Sequence, residues 1–373
     1  MKKLIFISLL LLLFFGGTIP DRNNAPPADE PSLREKIGVM LIIGFRGTSI
    51  TPNMQIVSDI QQLGIGGVIL FDYDVPSKKY QRNIENVSQL KKLITDLQSL
   101  TDRKLFIAID QEGGKVNRLK ERYGFPKTVS AQYLGNIDKE DTTRYYARRT
   151  AILLKELGFN LNFSPCIDLT VNPDCPVICK IGRSFGRDTA KVIRHALWWM
   201  EEHAKEDILS CVKHFPGHGS STVDTHLGIA DITRSWLEEE LAPYRQLIQK
   251  GVVKMVMTSH IFHEKLDAQY PATMSLAILT DILRKQLGFD GVIITDDLGM
   301  GAMTENYTLE EIIEKAILAG ADLLCLSNNG TTYDPHIAQK AIDIILKLVK
   351  EDKISEERIN ESYKRIKWLM TKT

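Results

Sequence analysis

The sequence predicts an α/β protein: a single (β/α)8 barrel of the TIM type behind an N-terminal signal or anchor segment. Three observations predict it. Eight strand candidates alternate with helical patterns and no internal linker interrupts them, which implies parallel strands. Strand runs such as VKMVMTSH (253–260) and GVIITDD (291–297) are nearly all apolar until their last residues, as expected for strands buried on both faces. No Gly-rich dinucleotide fingerprint follows the first strand, which argues against a doubly wound open sheet. Eight units over roughly 340 residues fit a barrel with extended loops.

Before the barrel the chain is of a different kind. Met1-Lys2-Lys3 is positive, Leu4 to Phe15 is an apolar run of twelve, and Gly16, Gly17 and Thr18 are small. This reads as a secretory signal and is too short for an ordinary transmembrane helix. No A-x-A site follows, so a cleaved signal and an uncleaved anchor both stay open. The expectation is an exported protein, periplasmic or extracellular, tethered to a membrane if the segment is not cut. No cysteine lies near the end of the run, which argues against lipidation. Residues 20–31, PDRNNAPPADEP, read as a polar linker. The expected divisions are therefore 1–19, 20–31 and a barrel over 32–373.

In the barrel, Pro31-Ser32-Leu33-Arg34-Glu35 reads as a capping box that opens a short helix. The first strand is Met40 to Phe45. Thr51-Pro52 predicts the next helix, with proline at its first position. Gly64 ends it, and Gly67 to Phe71 is the second strand. Helices at 87–100, 141–157, 188–204, 235–249, 276–287 and 308–319 lead in turn to six strands. These are Leu105 to Asp110, Asn160 to Pro165, Leu209 to His214, Lys254 to His260, Gly291 to Asp296 and Asp322 to Ser327. Helices near 336–350 and 355–370 close the chain.

The 373 residues carry 47 basic and 47 acidic side chains and are 43% hydrophobic, an ordinary globular balance that argues against a nucleic-acid partner. Of the cysteines, 211 and 325 sit in apolar strand-like runs and read as buried thiols. Cys175 and Cys179 share one loop. In an exported protein they could pair, although a short loop constrains the geometry. No CxxC pair offers a metal site, and neither a metal nor an organic cofactor is expected.

The strand ends carry the chemistry. They read Asp110-Gln111-Glu112, Asp168, Lys213-His214, Ser259-His260, Asp296-Asp297 and Ser327-Asn328. One polar end is a normal strand exit, but six at carboxyl ends converge on one face of a barrel, the face that holds active sites. After the fifth strand runs KHFPGHGSSTVDTH (213–226). Its Asp224 and His226 form a D-x-H pair in which the acid could fix the tautomer of the imidazole. Away from a strand end the same pair reads as a surface turn. An imidazole with an unperturbed pKa of about 6.5 suits proton donation near neutrality.

Four motifs together resemble glycoside hydrolase family 3, and within it the NagZ-type β-N-acetylhexosaminidases: KHFPGHGSSTVDTH, DQEGGKVNR (110–118), GRSFGRD (182–188) and ITDDLGM (294–300). The resemblance spans about residues 33 to 370. It implies a retaining mechanism through a covalent glycosyl-enzyme, with Asp296 as nucleophile, His226 as acid/base and Asp224 as its orienting partner. It also implies that Asp110, Arg118, Arg183, Lys213 and His214 bind the sugar. The implied partner is a carbohydrate, β-linked N-acetylglucosamine in muropeptides or related glycans. The sequence departs from the branch in four places. Ser220-Ser221 stands for Asp-Thr, Thr225 for Ser and Lys115 for Arg, and the loop before Arg183 is about two residues longer. Other readings stay open: a family 3 β-glucosidase, a phosphorylase with phosphate in place of water, and a non-catalytic glycan-binding protein. A metal-dependent hydrolase is disfavoured because the histidines fall on one strand and its loop.

Overall fold

The computed structural model describes residues 30–225 and 228–372. The expected signal or anchor, most of the linker, and His226 lie outside the described residues. All eight expected strands are present: β1 Leu41–Gly44, β2 Gly67–Ile69, β3 Phe106–Ile109, β4 Leu161–Asn162, β5 Leu209–Phe215, β6 Met255–Thr258, β7 Val292–Ile294 and β8 Leu324–Leu326. Each is parallel to its neighbours, in the spatial order β7-β6-β5-β4-β3-β2-β1-β8. A parallel bridge between Ile294 and Leu323, with the Thr295 amide donating to the Leu323 carbonyl at 3.0 Å, brings the two outer strands together. The result is a nearly closed (β/α)8 barrel.

The strands are short and almost wholly buried, because side chains pack on both faces: barrel interior on one side, helices on the other. The helix starts are written locally. Ser32 and Glu35 form the expected capping box of Leu33–Val39, and Thr308 and Glu311 form another ahead of Leu309–Ala319.

Two expectations at helix starts and one of helix winding are corrected. Thr51-Pro52 does not open a helix. The Met54 amide donates to the Thr51 carbonyl at 3.0 Å, so Pro52 sits in a turn and the helix begins at Gln55. The helix expected over 235–249 is a 3-10 turn, Glu238–Leu241, followed by Ala242–Gln249, because Pro243 has no amide hydrogen to give and suits a first turn. The helix Ala277–Gln286 is wound in the wider π form. Ala131–Ile137, capped by Ser130, is an additional helix in the long connection after β3. Among the described residues no helix is long and apolar enough to cross a membrane.

Candidate active site

Parallel strands place all their carboxyl ends on one rim, and the polar residues read from the sequence stand there. Asp110, Arg118 and Asp296 line one cleft of about 430 Å³, with Asp297 and Ser327 beside them and Phe71, Tyr73 and Met257 among its apolar walls. The volume lies in the range of small-molecule sites.

Arg183, Lys213 and His214 do not line this cleft. They form a buried charge network behind Asp110. The Lys213 ammonium, 2% exposed, lies 2.7 Å from Asp110 Oδ1 and 2.7 Å from Glu112 Oε1. Arg183 holds Glu112 with two bonds, Nε to Oε2 at 2.9 Å and Nη2 to Oε1 at 2.7 Å. Arg118 Nη2 reaches Asp110 Oδ2 at 3.4 Å from the cleft side. Burial alone would raise both carboxyls. Lys213 and Arg118 outweigh it at Asp110, and Arg183 and Lys213 at Glu112, which is held down at about 2. Both acids are therefore anions, and their charges are matched by neighbouring cations.

His214 extends the network to Asp168. Arg183 Nη2 donates to His214 Nε2 at 2.9 Å, so the ring proton sits on Nδ1 and donates to Asp168 Oδ2 at 2.6 Å. Burial, then the Arg183 charge, lower the imidazole pKa and favour the neutral ring. This tautomer bears on metal binding. Cys166, Asp168 and His214 bring three ligand-type atoms within 4.8 Å of one another. An Nδ1 that carries a proton has no lone pair for a metal, so as hydrogen-bonded here the cluster is a polar anchor and not a ligand set.

At the end of β7 the adjacent acids differ. Asp297 accepts from Ser327 N at 2.8 Å, Ser327 Oγ at 2.5 Å and Gly299 N at 3.1 Å, which ties the β7 loop to the end of β8. Burial raises its pKa. Asp296 opens to the cleft near enough to Asp110 to feel its charge, and its Oδ1 accepts the Asp297 amide at 2.8 Å. Successive residues at a strand end face different ways, so only one of the pair can meet a ligand squarely.

The loop after β5 is fastened at its base. The His218 amide donates to Asp168 Oδ1 at 2.8 Å, and the Gly217 amide to the His214 carbonyl at 2.8 Å. Further along, His218 Nε2 meets Thr225 Oγ1 at 3.3 Å, and the Ala302 amide donates to the Thr225 carbonyl at 3.2 Å. Asp224 is half-buried beside the buried Thr225. Its expected partner His226 lies outside the described residues. Cys175 and Cys179 are buried free thiols, so the pairing considered for them is not formed here.

Sequence reasoning thus named the cleft acids and Arg118 but passed over Glu112 and Asp168 as site residues. Both stand among the polar strand ends, and that position was the available signal. Glu240, which touches the β5 loop, sits in an ordinary-looking EEEL run and had no signal.

Residues 32–369 match the Glycosyl hydrolase family 3 N terminal domain. A beta-hexosaminidase of Glaesserella parasuis serovar 5 is 32% identical over 338 residues, 87% of this chain and 93% of that protein. Beta-hexosaminidase A of Pseudoalteromonas piscicida is 31% identical over 342 residues, 84% of this chain, and the chain spans only 54% of its length. Among solved structures, a glycoside hydrolase family 3 beta-N-acetylglucosaminidase from Paenibacillus sp. str. FPU-7 superposes with a TM-score of 0.83 at 32% identity, covering 92% of this chain and 63% of that one.

Proposed function

Because this chain belongs to glycosyl hydrolase family 3, we propose that it is a retaining exo-β-N-acetylglucosaminidase that removes terminal N-acetylglucosamine from β-linked glycans. The observation that carries the reading is Asp296 at the end of β7, opening into the same cleft as Asp110 and Arg118. Asp110 is an acceptor for sugar hydroxyls and Arg118 a donor to others, an arrangement suited to a polyol. In the first step a carboxylate oxygen of Asp296 bonds to the anomeric carbon, the glycosidic bond breaks, and the leaving oxygen takes a proton from His226. In the second, His226 takes a proton from water, the water oxygen displaces Asp296, and the free sugar leaves. Asp224 orients the imidazole and stabilises its cation.

The buried network supports this role indirectly. Lys213 fixes Asp110, and the bidentate Arg183–Glu112 pair fixes Lys213. The acid that meets the sugar is thus held in one place without reorganising during the reaction. We infer, from residues 1–19 alone, that the protein is exported and acts on wall fragments or related amino-sugar glycans; the mass of the mature N-terminus in a fractionated host tests this.

The functional test compares an aryl N-acetyl-β-glucosaminide with an aryl β-glucoside, for wild type and Asp296→Asn, with and without phosphate. Preference for the acetamido sugar, abolished in the variant, is expected. Preference for glucoside, or a sugar phosphate as the phosphate-dependent product, would replace the reading with a β-glucosidase or a phosphorylase. Undiminished activity in Asp296→Asn would remove the nucleophile assignment.

A further inference from the structure

Glu240 is a buried acid without a cation. It lies in the 3-10 turn Glu238–Leu241 on the helix side of the β5 loop and is 1% exposed. Among the described residues no basic side chain forms an ion pair with it, and Asp168 adds a like charge nearby. A carboxyl group in such a place is costly unless its hydrogen bonds hold something in return. What it holds is backbone. Oε2 accepts the Gly219 amide at 3.1 Å, and Oε1 accepts the Leu237 amide at 3.4 Å.

The contact is close enough to dictate the loop sequence. A Cβ on Gly217, whose φ is +122°, would lie 2.6 Å from Glu240 Cβ, and a Cβ on Gly219 would lie 1.7 Å from the Leu169 carbonyl oxygen. Glycine at both positions lets the loop backbone settle between Glu240 and the segment after β4. The neighbouring Trp236 adds a second bond, Nε1 to the Pro216 carbonyl at 3.3 Å. From there the hold is passed on, since His218, next to Gly219, meets Thr225, the residue between Asp224 and His226.

We propose that Glu240 is a positioning residue for the reaction: by anchoring the Gly219 amide it sets, through His218 and Thr225, the register of the segment that delivers the Asp224/His226 pair. This rests on the acid/base role proposed for that pair. Glu240 touches neither substrate nor reacting atoms. Burial raises its carboxyl to about 7, with Asp168 adding to the effect, and Tyr244 from the following helix is near enough to feel its charge. The Gly219 and Leu237 amides pull the pKa down, but burial outweighs them, so the buried site as a whole favours the protonated acid. The anchor is therefore complete below the ordinary value of 4.5 and weakens as pH rises through about 7.

The experiment pairs amide hydrogen exchange over residues 216–222 with turnover of two N-acetyl-β-glucosaminides, one with an activated aryl leaving group and one with an alkyl group. It uses wild type, Glu240→Ala, Glu240→Gln and His226→Ala. Glu240→Ala is expected to lose Gly219 protection and to lose alkyl turnover about 10²-fold, the lower end of what general acid–base help contributes, with a much smaller aryl loss. In the His226→Ala background the same change is expected to add nothing to the alkyl loss, because both act through one group. Glu240→Gln keeps an acceptor and is expected to retain activity while its protection no longer falls above pH 7. Unchanged Gly219 protection in Glu240→Ala, or equal losses on both substrates, would overturn the proposal. If His226→Ala itself shows equal losses, the acid assignment fails instead, and the exchange data alone judge Glu240. If Glu240→Ala does not fold, a Glu240→Gln protein whose protection still follows wild type with pH overturns it.

Discussion

Lys213 is the residue that holds Asp110, the cleft acid, to the buried network behind it. It bridges Asp110 and Glu112, and although burial pushes its ammonium down, the two carboxylates outweigh that and hold it charged. Lys213→Met should leave two buried anions facing each other with one cation fewer. We expect a loss of about 3–5 kcal/mol in denaturant unfolding, the usual cost of breaking a buried pair from one side. Sugar binding should weaken too, because Asp110 loses its fixed position. Glu112 predicts a pH effect. Its folded value of about 2 lies below the ordinary 4.5, so its contribution is complete above pH 4.5 and lost as pH falls through 2. Urea midpoints taken between those values should fall less steeply for Glu112→Gln than for wild type; parallel slopes would contradict the charge assignment. Residue types at strand ends were legible in sequence. Which of them face the cleft was not: Lys213 and Asp110 look alike as strand-end charges, and only packing puts one behind the other.

At the scale of the element, the loop after β5 shows what local sequence can and cannot say. Its glycines, histidines and D-x-H pair announce a functional loop. Its anchors come from elsewhere, from Asp168 in the segment after β4 and Glu240 on the turn ahead of the next helix. Gly219→Ala tests the close approach to Leu169. The added methyl cannot fit without a backbone shift, and we expect about 1–3 kcal/mol of destabilisation together with lost activity on poor leaving groups. Thermal melts and leaving-group kinetics would check both, and a fully active, equally stable variant would argue that the loop is not held there. The helix ends make the same point. Ser32 and Glu35 were readable as a cap because the motif is complete within four residues. Pro52 misled because a proline suits a turn as well as a helix start, and the Met54–Thr51 bond decided between them.

For the whole molecule the decisive feature is closure. β7 and β8 meet through Asp322, which is buried and accepts the Ile293 amide at 3.0 Å and Ser362 Oγ at 2.9 Å. Arg284, Arg358 and Arg365 surround it, at 2.5, 3.5 and 3.1 Å. These arginines come from the wide helix Ala277–Gln286 and from the last helix, Glu356–Met370. Asp322→Ala should leave three guanidinium groups without their shared anion and cost about 3–5 kcal/mol, while kcat of the folded fraction stays near wild type because the cluster lies away from the cleft. A denaturant curve superposable on wild type would show that the seam does not need the charge. By itself the sequence determined the alternation of strand and helix, the parallel sheet and the strand ends that bear the chemistry, because periodicity and burial are written residue by residue. The tertiary structure alone decided which acids share a cation, which tautomer His214 adopts and what braces the β5 loop. Those depend on residues far apart in the chain, from Gly219 and Glu240, 21 positions apart, to Lys213 and Asp110, 103 apart, being carried together by the closing of the barrel.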